Sequence, residues 1–201
     1  RKYLEIIYIS LIRPILEYGD VLFDNCTIQE KNSLEKVQHE AARIVTGATK
    51  LVSIEKLLNE VGWESLGCRR EKHKLILYYK MMNNLTPLYL SSLCPPNVSN
   101  DAYNLRNQAD SQVPRARTSL YYDSFLPSTI RAYNALPLSL RNVSSLSAFK
   151  RQIFSSEAKV PSYFYSGTRK YQILHSRLRT NCSSLADDLF SKNVILSPTC
   201  A

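Results

Sequence analysis

The opening stretch of the chain, residues 3–18, most constrains the fold, because as a helix it is apolar around most of its circumference. Its apolar side chains include Leu4, Ile7, Leu11, Ile12 and Ile15. Pro14 predicts a kink, since proline lacks the backbone N–H that the preceding turn requires. The chain must therefore cover this helix completely or leave an exposed apolar patch for a partner.

Residues 27–47 carry the start and stop signals of a second helix. Thr27 and Glu30 form the pair of a capping box, and Gly47 is a typical residue just past a helix end. Between them the apolar residues recur at helical spacing, which predicts one core-facing stripe of Leu34, Val37, Ala41, Ile44 and Val45.

A longer helix is predicted over residues 65–83, after a short one that begins at Ser53 and ends before Gly62. Its predicted core face is apolar, and its predicted solvent face is basic. The basic residues assigned to solvent are Arg69, Arg70, Lys72, Lys74 and Lys80.

Past residue 94 the helical patterns become shorter. Residues 113–126 have β character and are predicted to pair as a short ribbon. Helical patterns return over residues 127–136, 145–154, 169–179 and 184–192. The predicted fold is mainly α, with a helical bundle-like domain over 1–93 and a mixed basic region with short helices over 94–201.

The charge of the chain is distributed unevenly. It has 201 residues with 26 basic and 17 acidic side chains, a formal net charge of +9. The half up to residue 100 is nearly balanced at +2, and the half from residue 101 carries +7. A basic region of this kind attracts polyanions, of which nucleic acid is the commonest.

The sequence lacks the signatures of several function classes. It contains no P-loop, no Rossmann fingerprint, no HExxH and no G-x-S-x-G. No run approaches the roughly 18 apolar residues of a membrane-spanning helix, so no membrane partner is predicted. The five cysteines and three histidines are scattered, which predicts no metal site, no cofactor and free thiols. Free thiols favour an intracellular location, nuclear or cytoplasmic.

One acidic pair invites a catalytic interpretation. Asp187 and Asp188 follow a small residue, as do the metal-binding carboxylates of polymerase palms. Ser183 and Ser184 precede them, however, which places the pair in the first turn of a helix, where acids complement the helix dipole. We therefore predict no catalytic residue and keep an enzyme that uses this pair as the third hypothesis.

Two basic clusters with neighbouring aromatic side chains are better candidates for a binding site. Arg115 and Arg117 alternate just before Tyr121 and Tyr122. A second cluster shares one helical stretch with Tyr171 and His175, and it consists of Arg169, Lys170, Arg177 and Arg179. Long cationic side chains contact phosphates and aromatic rings stack on bases, although an ordinary solvated helix face also carries such charges.

Several segments together resemble the region past the palm in reverse transcriptases of non-LTR retrotransposons. Residues 11–18 (LIRPILEY) resemble its R-P-x-L-E-Y segment, and residues 34–47 (LEKVQHEAARIVTG) resemble the helix that follows. The similarity continues in family order through residues 103–107 (YNLRN), 113–118 (VPRART), 124–137 (SFLPSTIRAYNALP) and 173–179 (ILHSRLR).

The resemblance implies a thumb-like part over 1–93 and a linker-like part over 94–201. The metal-binding palm would lie upstream of Arg1, and Cys200 would be a first ligand of a truncated metal knuckle. Arg106, Arg115 and Arg117 match basic positions of the family, and Arg131 lies within a similar segment. With the two clusters above, these arginines complete the predicted nucleic-acid-binding set.

The implied function is to hold nucleic acid, RNA or DNA, against a separate palm. That nucleic acid would be the template, the primer or the RNA of the element. That palm would cover part of the first helix, so several of Tyr3, Ile6, Ile7 and Ile9 should be exposed in this chain alone. The alternative is a stand-alone helical protein that packs on a partner protein through the same helix.

Overall fold

The computed structural model describes residues 1–96, 110–155 and 160–182. Helices dominate these residues, which confirms the predicted mainly α class. In chain order they are α1 (Lys2–Ile7), a π-helical turn (Tyr8–Ile12), α2 (Arg13–Leu16), α3 (Asp20–Phe23), α4 (Ile28–Thr46), α5 (Ile54–Val61), α6 (Leu66–Met82), α7 (Leu88–Ser91), α8 (Ser119–Tyr122), α9 (Phe125–Asn134), α10 (Leu138–Arg141), α11 (Leu146–Ile153), a 3-10 turn (Ser162–Tyr165) and α12 (Arg169–Arg179).

The chain divides into two compact units that do not follow chain order. Unit 1 contains Arg1–Tyr18, Ile28–Leu66 and the described residues 160–182, and unit 2 contains Gly19–Thr27 and Gly67–Ser156. Each unit draws on both sides of the predicted boundary after residue 93. The assignment of 1–93 as thumb-like and 94–201 as linker-like stays a prediction.

The core of unit 1 lies between α4 and α5. Ala42 and Val45 of α4 pack with Leu57 and Val61 of α5, all of them buried. Ser53 caps the start of α5 by accepting a hydrogen bond from the Lys56 amide, and Gly62 ends it with a φ of +69°. These caps are the ones that the sequence predicts.

The first helix is continuous but irregular. One π-helical turn over Tyr8–Ile12 separates α1 from α2. Pro14 has no N–H to donate to the carbonyl of Ser10, and its ring would crowd that carbonyl in a regular α-helix. The widened turn just before the proline accommodates this missing hydrogen bond.

The predicted apolar stripe of α4 is right at Val45, which is buried, and wrong at Val37 and Ile44. Val37 and Ile44 are exposed, Ile44 by 58%, whereas Gln38 is fully buried. The Tyr8 hydroxyl donates a 2.7 Å hydrogen bond to Gln38 Oε1, and Gln38 Nε2 donates one of 2.7 Å to the carbonyl of Glu64. Because these bonds satisfy the amide, the helix buries its glutamine face and turns the isoleucine outward.

The core of unit 2 is aromatic. Tyr79 of α6 stacks on Phe149 of α11 with ring centroids 4.3 Å apart, and Tyr78 meets Tyr133 of α9 edge to face at 5.0 Å. The Tyr79 hydroxyl donates to the carbonyl of Val143. Burial raises the pKa of Tyr78 to about 12.

Three of the basic residues assigned to the solvent face of α6 are buried, so that prediction is wrong for Arg69, Arg70 and Lys74. Asp24, just past α3, explains two of them. Lys74 Nζ lies 2.6 Å from one Asp24 oxygen, and Arg70 Nε lies 3.3 Å from the other. The sequence separation of about 50 residues hides this pairing from any local pattern.

The predicted β ribbon over residues 113–126 is also wrong. Residues 112–118 are irregular, and the aromatic residues beyond them lie on α8 and α9. Thr118 determines this outcome, because its hydroxyl accepts a 3.2 Å hydrogen bond from the Tyr121 amide and so begins α8.

Candidate nucleic-acid interface

Seven of the eight predicted nucleic-acid-binding residues lie in the described part of the chain, and Arg106 lies outside it. Unit 2 holds Arg115, Arg117 and Arg131. Unit 1 holds the four residues of α12, Arg169, Lys170, Arg177 and Arg179. The two sets differ in what their guanidinium groups contact.

Arg115 and Arg117 are exposed on the irregular segment that leads into α8. Their guanidinium groups make no hydrogen bond or ion pair with any residue that the structure describes. A guanidinium in water can make bidentate hydrogen bonds to a phosphate without first breaking a protein contact.

An aromatic surface follows these two arginines on α8. Tyr121 is 44% exposed and Tyr122 is 49% exposed. Neither ring is buried in the core, so each has a face on which a base or a sugar can stack. Exposed arginines followed within a few residues by exposed tyrosines are therefore the best-formed candidate site of unit 2.

Arg131 supports this surface and is not free. Its guanidinium carbon lies 3.5 Å from the centroid of the Tyr122 ring, and its Nη2 donates a 2.9 Å hydrogen bond to the Tyr122 carbonyl. This cation–π contact holds one face of the ring and joins α9 to α8. Arg131 therefore positions Tyr122 in the folded chain.

The arginines of α12 are engaged with carbonyl groups at the end of α4. Arg169 donates to the carbonyls of Ile44 and Val45, and Arg177 Nε donates a 3.0 Å hydrogen bond to the carbonyl of Gly47. The last carbonyls of a helix have no partner within the helix and carry partial negative charge, so cations stabilise them. Burial, together with the nearby charge of Arg1, lowers the pKa of Arg169.

Arg179 belongs to a charge cluster around the buried carboxylate of Glu60. It donates to both oxygens of Glu60, and Arg1 Nη1 lies 2.9 Å from the same carboxylate. The Arg179 guanidinium also stacks on Phe164, 3.6 Å from the ring centroid.

Glu5 extends the same cluster. Arg1 Nε lies 2.8 Å from one Glu5 oxygen, and the Tyr165 hydroxyl donates a 2.8 Å hydrogen bond to the other. Burial and this hydrogen bond raise the pKa of Tyr165 to about 12. We call Arg1, Glu5, Glu60, Tyr165 and Arg179 the Glu60 cluster.

Lys170 is the one residue of the four on α12 whose charged group has no partner among the described residues, and it is exposed. The helix thus presents a single free ammonium where the sequence predicts four phosphate-binding cations. Its other three cations fasten α12 within unit 1.

Sequence reasoning missed the Glu60 cluster entirely. Its one local signal is Glu5, an acid within an otherwise apolar helix, which is rare unless the charge is paired. The close packing at Gly47 was missed as well. The glycine has a φ of +70°, and a methyl group there would lie within 3 Å of Ile173.

The described residues show neither a metal cluster nor a membrane span. No group of three or more His, Cys, Asp or Glu side chains in that part of the chain is arranged to hold a metal ion. None of the helices described is both long and apolar enough to cross a membrane. Asp187, Asp188 and Cys200 lie outside the described residues.

Comparison with known proteins adds no relative. No protein-family model, no curated protein and no solved structure matches the chain.

Proposed function

We propose that this chain is a non-catalytic, nucleic-acid-binding part of a reverse transcriptase of the non-LTR retrotransposon type. It holds template, primer or element RNA for a palm domain that carries the polymerase chemistry. The observation that supports binding is the pair of exposed arginines, Arg115 and Arg117, followed by the exposed rings of Tyr121 and Tyr122. The retrotransposon assignment depends on the sequence resemblance.

Binding should depend strongly on salt. Phosphate contacts release condensed counterions, so the logarithm of the binding constant falls linearly with the logarithm of the salt concentration. A fluorescence titration of the whole chain with labelled single-stranded RNA, and with DNA of the same sequence, measures this slope. The proposal fails if neither strand binds, or if binding does not weaken as salt is raised.

The chain alone should not extend a primer. With Mg²⁺, nucleotides and a primed template, we expect no product above a control without protein. Extension that disappears in Asp187→Asn would show that the acidic pair is catalytic and would overturn the non-catalytic assignment.

The apolar surface of the first helix supports the second half of the proposal, a palm domain as partner. Tyr3 is 80% exposed, and Ile6, Ile7 and Ile9 are all exposed, which confirms the prediction from sequence. Leu11 and Ile15 extend the patch. An exposed apolar patch marks an interaction surface, and a palm domain is the partner that the sequence resemblance implies.

The partner can be tested without deleting the helix. Tyr8 of the same helix is buried and stacks on Trp63 at 4.1 Å, so removal of residues 1–18 would open the core of unit 1. Replacing Leu11 and Ile15 by serine should instead raise solubility and abolish co-purification with a co-expressed palm domain. Leu22→Ser, at an exposed leucine of unit 2, is the matched control.

The same patch supports the alternative function, a stand-alone protein-interaction domain. Binding of a palm domain to the apolar patch distinguishes the two functions. A palm of the resembled family should bind the apolar patch in the first case. In the second case it should not bind, and the chain should also show no salt-dependent binding of nucleic acid.

A further inference from the structure

Unit 2 contains a pocket that the proposed function does not use. It has a volume of about 350 Å³ and lies between α6 and the end of α11. Three of the residues that line it carry or can carry positive charge, namely His73, Lys80 and Lys150. Its other walls are apolar and include Ile76, Leu77 and Phe154.

The two lysines of the pocket are available to a ligand. Lys80 lies in the last turn of α6, and Lys150 lies on α11. Neither ammonium group makes an ion pair or a hydrogen bond within the described part of the chain, and no acidic residue lines the pocket. Two unpaired ammonium groups that line one cavity repel each other, and a bound anion relieves that repulsion.

His73 is held in a fixed orientation by a buried carboxylate. Its Nδ1 lies 2.5 Å from Asp20 Oδ2, and Asp20 is only 5% exposed. A carboxylate on one ring nitrogen fixes the orientation of the imidazole, so His73 is an ordered wall of the pocket.

Phe154 supplies a flat apolar wall whose ring attracts cations. Lys72 Nζ lies 5.1 Å and the Arg69 guanidinium carbon 5.5 Å from its centroid, and the His73 ring is tilted against it at 6.1 Å. Such cation–π contacts fix the ring. The pocket thus combines free ammonium groups with an ordered aromatic surface.

We propose that this pocket binds a phosphate monoester whose organic part carries a planar aromatic ring. A free nucleotide and the phosphorylated end of a nucleic-acid strand share this chemistry. Lys80 and Lys150 contact the phosphate as point charges, and the planar ring packs on Phe154 and the aliphatic side chains. The site is independent of Arg115 and Arg117, and it does not require the proposed function.

The first test compares AMP with adenosine by isothermal calorimetry on the whole chain. We expect saturable binding of AMP at least about tenfold tighter than that of adenosine, because only AMP carries the phosphate that the lysines recognise. The absence of saturable AMP binding, or equal affinities for the two compounds, would overturn the proposal.

The second test locates the site. The double variant Lys80→Gln, Lys150→Gln should weaken AMP binding at least about tenfold. The matched control Lys36→Gln, Lys50→Gln removes the same charge from unit 1, at exposed lysines that have no ion pair with the described residues. It should change the AMP affinity less than about twofold. An equal loss in both variants would show a general charge effect and contradict the pocket. Circular dichroism establishes that each variant is folded. If the double variant does not fold, Lys80→Gln alone is used in its place, and a smaller loss of AMP affinity is expected.

The third test identifies the source of the phosphate. A short oligonucleotide with a terminal phosphate and the same strand without it compete with AMP. Stronger competition by the phosphorylated strand assigns the pocket to strand ends, and no competition by either strand assigns it to free nucleotides. Equal competition by the two strands would contradict recognition of a terminal phosphate. The variant Arg115→Gln, Arg117→Gln should bind AMP normally, which separates this pocket from the proposed interface.

Discussion

The arginines before α8 and those of α12 form two basic clusters that look alike in sequence and differ in structure. Arg115 and Arg117 are exposed, and their guanidinium groups make no hydrogen bond or ion pair with the described residues. Arg169, Arg177 and Arg179 donate to carbonyl groups or to a carboxylate of unit 1. The same residue type is thus exposed to solvent at one place and fastens a helix at the other.

The difference teaches that available acceptors determine the role of a basic cluster. The end of α4 offers carbonyls without partners, and α5 offers the buried carboxylate of Glu60. A guanidinium that meets such groups fixes the fold, because a buried acceptor without a donor is costly. The segment before α8 offers its arginines no acceptor among the described residues, so they remain available to phosphate.

Of the changes that test the α12 cluster, removal of the Glu60 carboxylate should cause the largest loss of folding stability. In Glu60→Ala, Arg179 would lose its carboxylate partner, and Arg1, whose side chain is fully buried, would keep only Glu5. Loss of one partner of a buried ion pair costs about 3–5 kcal/mol. Urea denaturation followed by circular dichroism measures this loss.

Glu55→Ala is the control for that variant. Glu55 is an exposed acid in the first turn of the same helix, so its removal should cost less than about 0.5 kcal/mol. Equal stabilities of the two variants would mean that the Glu60 cluster does not hold α12.

A methyl group at Gly47 tests the packing of α12 against the end of α4. Gly47→Ala places a side chain in the left-handed region and against Ile173, which together should cost about 2–4 kcal/mol. Gly19 has a similar φ of +66°, but its nearest neighbour is 3.9 Å away. Gly19→Ala should therefore cost only about 1–2 kcal/mol. Thermal unfolding of both variants gives the difference, and a larger loss at Gly19 would contradict this packing.

The Tyr165 phenol gives the smallest effect, and it depends on pH. The pKa of Tyr165 is about 12 in the folded chain and 10.0 ordinarily. The folded chain therefore binds this proton more tightly than the unfolded chain, and the stability that results is fully present below pH 10. Between these two values the unfolded chain loses this proton first, and stability falls as pH rises. Tyr165→Phe should cost about 1–2 kcal/mol at neutral pH and should make that decline shallower.

Denaturation midpoints measured across this pH range test the prediction. Tyr78, whose pKa is also raised to about 12, titrates in both proteins and cancels from the comparison. Identical slopes in the wild type and Tyr165→Phe would contradict the role of Tyr165 in the Glu60 cluster.

Local patterns predicted the helices whose signals lie within one element. α12 spans the predicted residues 169–179, and α4 ends at Gly47 as its C-terminal cap predicts. α11 begins after Ser145, whose hydroxyl accepts from the Ala148 amide. Caps and periodicity act over a few residues, so the sequence contains all the information they need.

Long-range pairing was not visible in the same patterns. Gln38 has the polarity of a surface residue and is buried because Tyr8, 30 residues earlier, satisfies it. Lys74 has the charge of a solvent-facing residue and is buried because Asp24 pairs with it. A periodicity argument ranks residues by polarity alone, so it left Gln38 out of the core and assigned Lys74 to solvent.

The predicted binding residues likewise divide into those that lie on the surface and those paired with residues far away in the sequence. Composition identified Arg115 and Arg117 as candidates, and the structure places them on the surface. It also identified Arg169 and Arg177, whose acceptors are carbonyls of α4 more than a hundred residues away. No sequence pattern indicates which arginine will find such a carbonyl.

The salt dependence of RNA binding by the double variant Arg115→Gln, Arg117→Gln tests the central claim most directly. Its slope against the logarithm of the salt concentration should be about 1.4 smaller than that of the wild type, because two phosphate contacts on a single strand are lost. The control Lys36→Gln, Lys50→Gln should retain the wild-type slope, and both variants should keep wild-type stability. Equal slopes in all three proteins would contradict the assignment of Arg115 and Arg117 as the nucleic-acid interface.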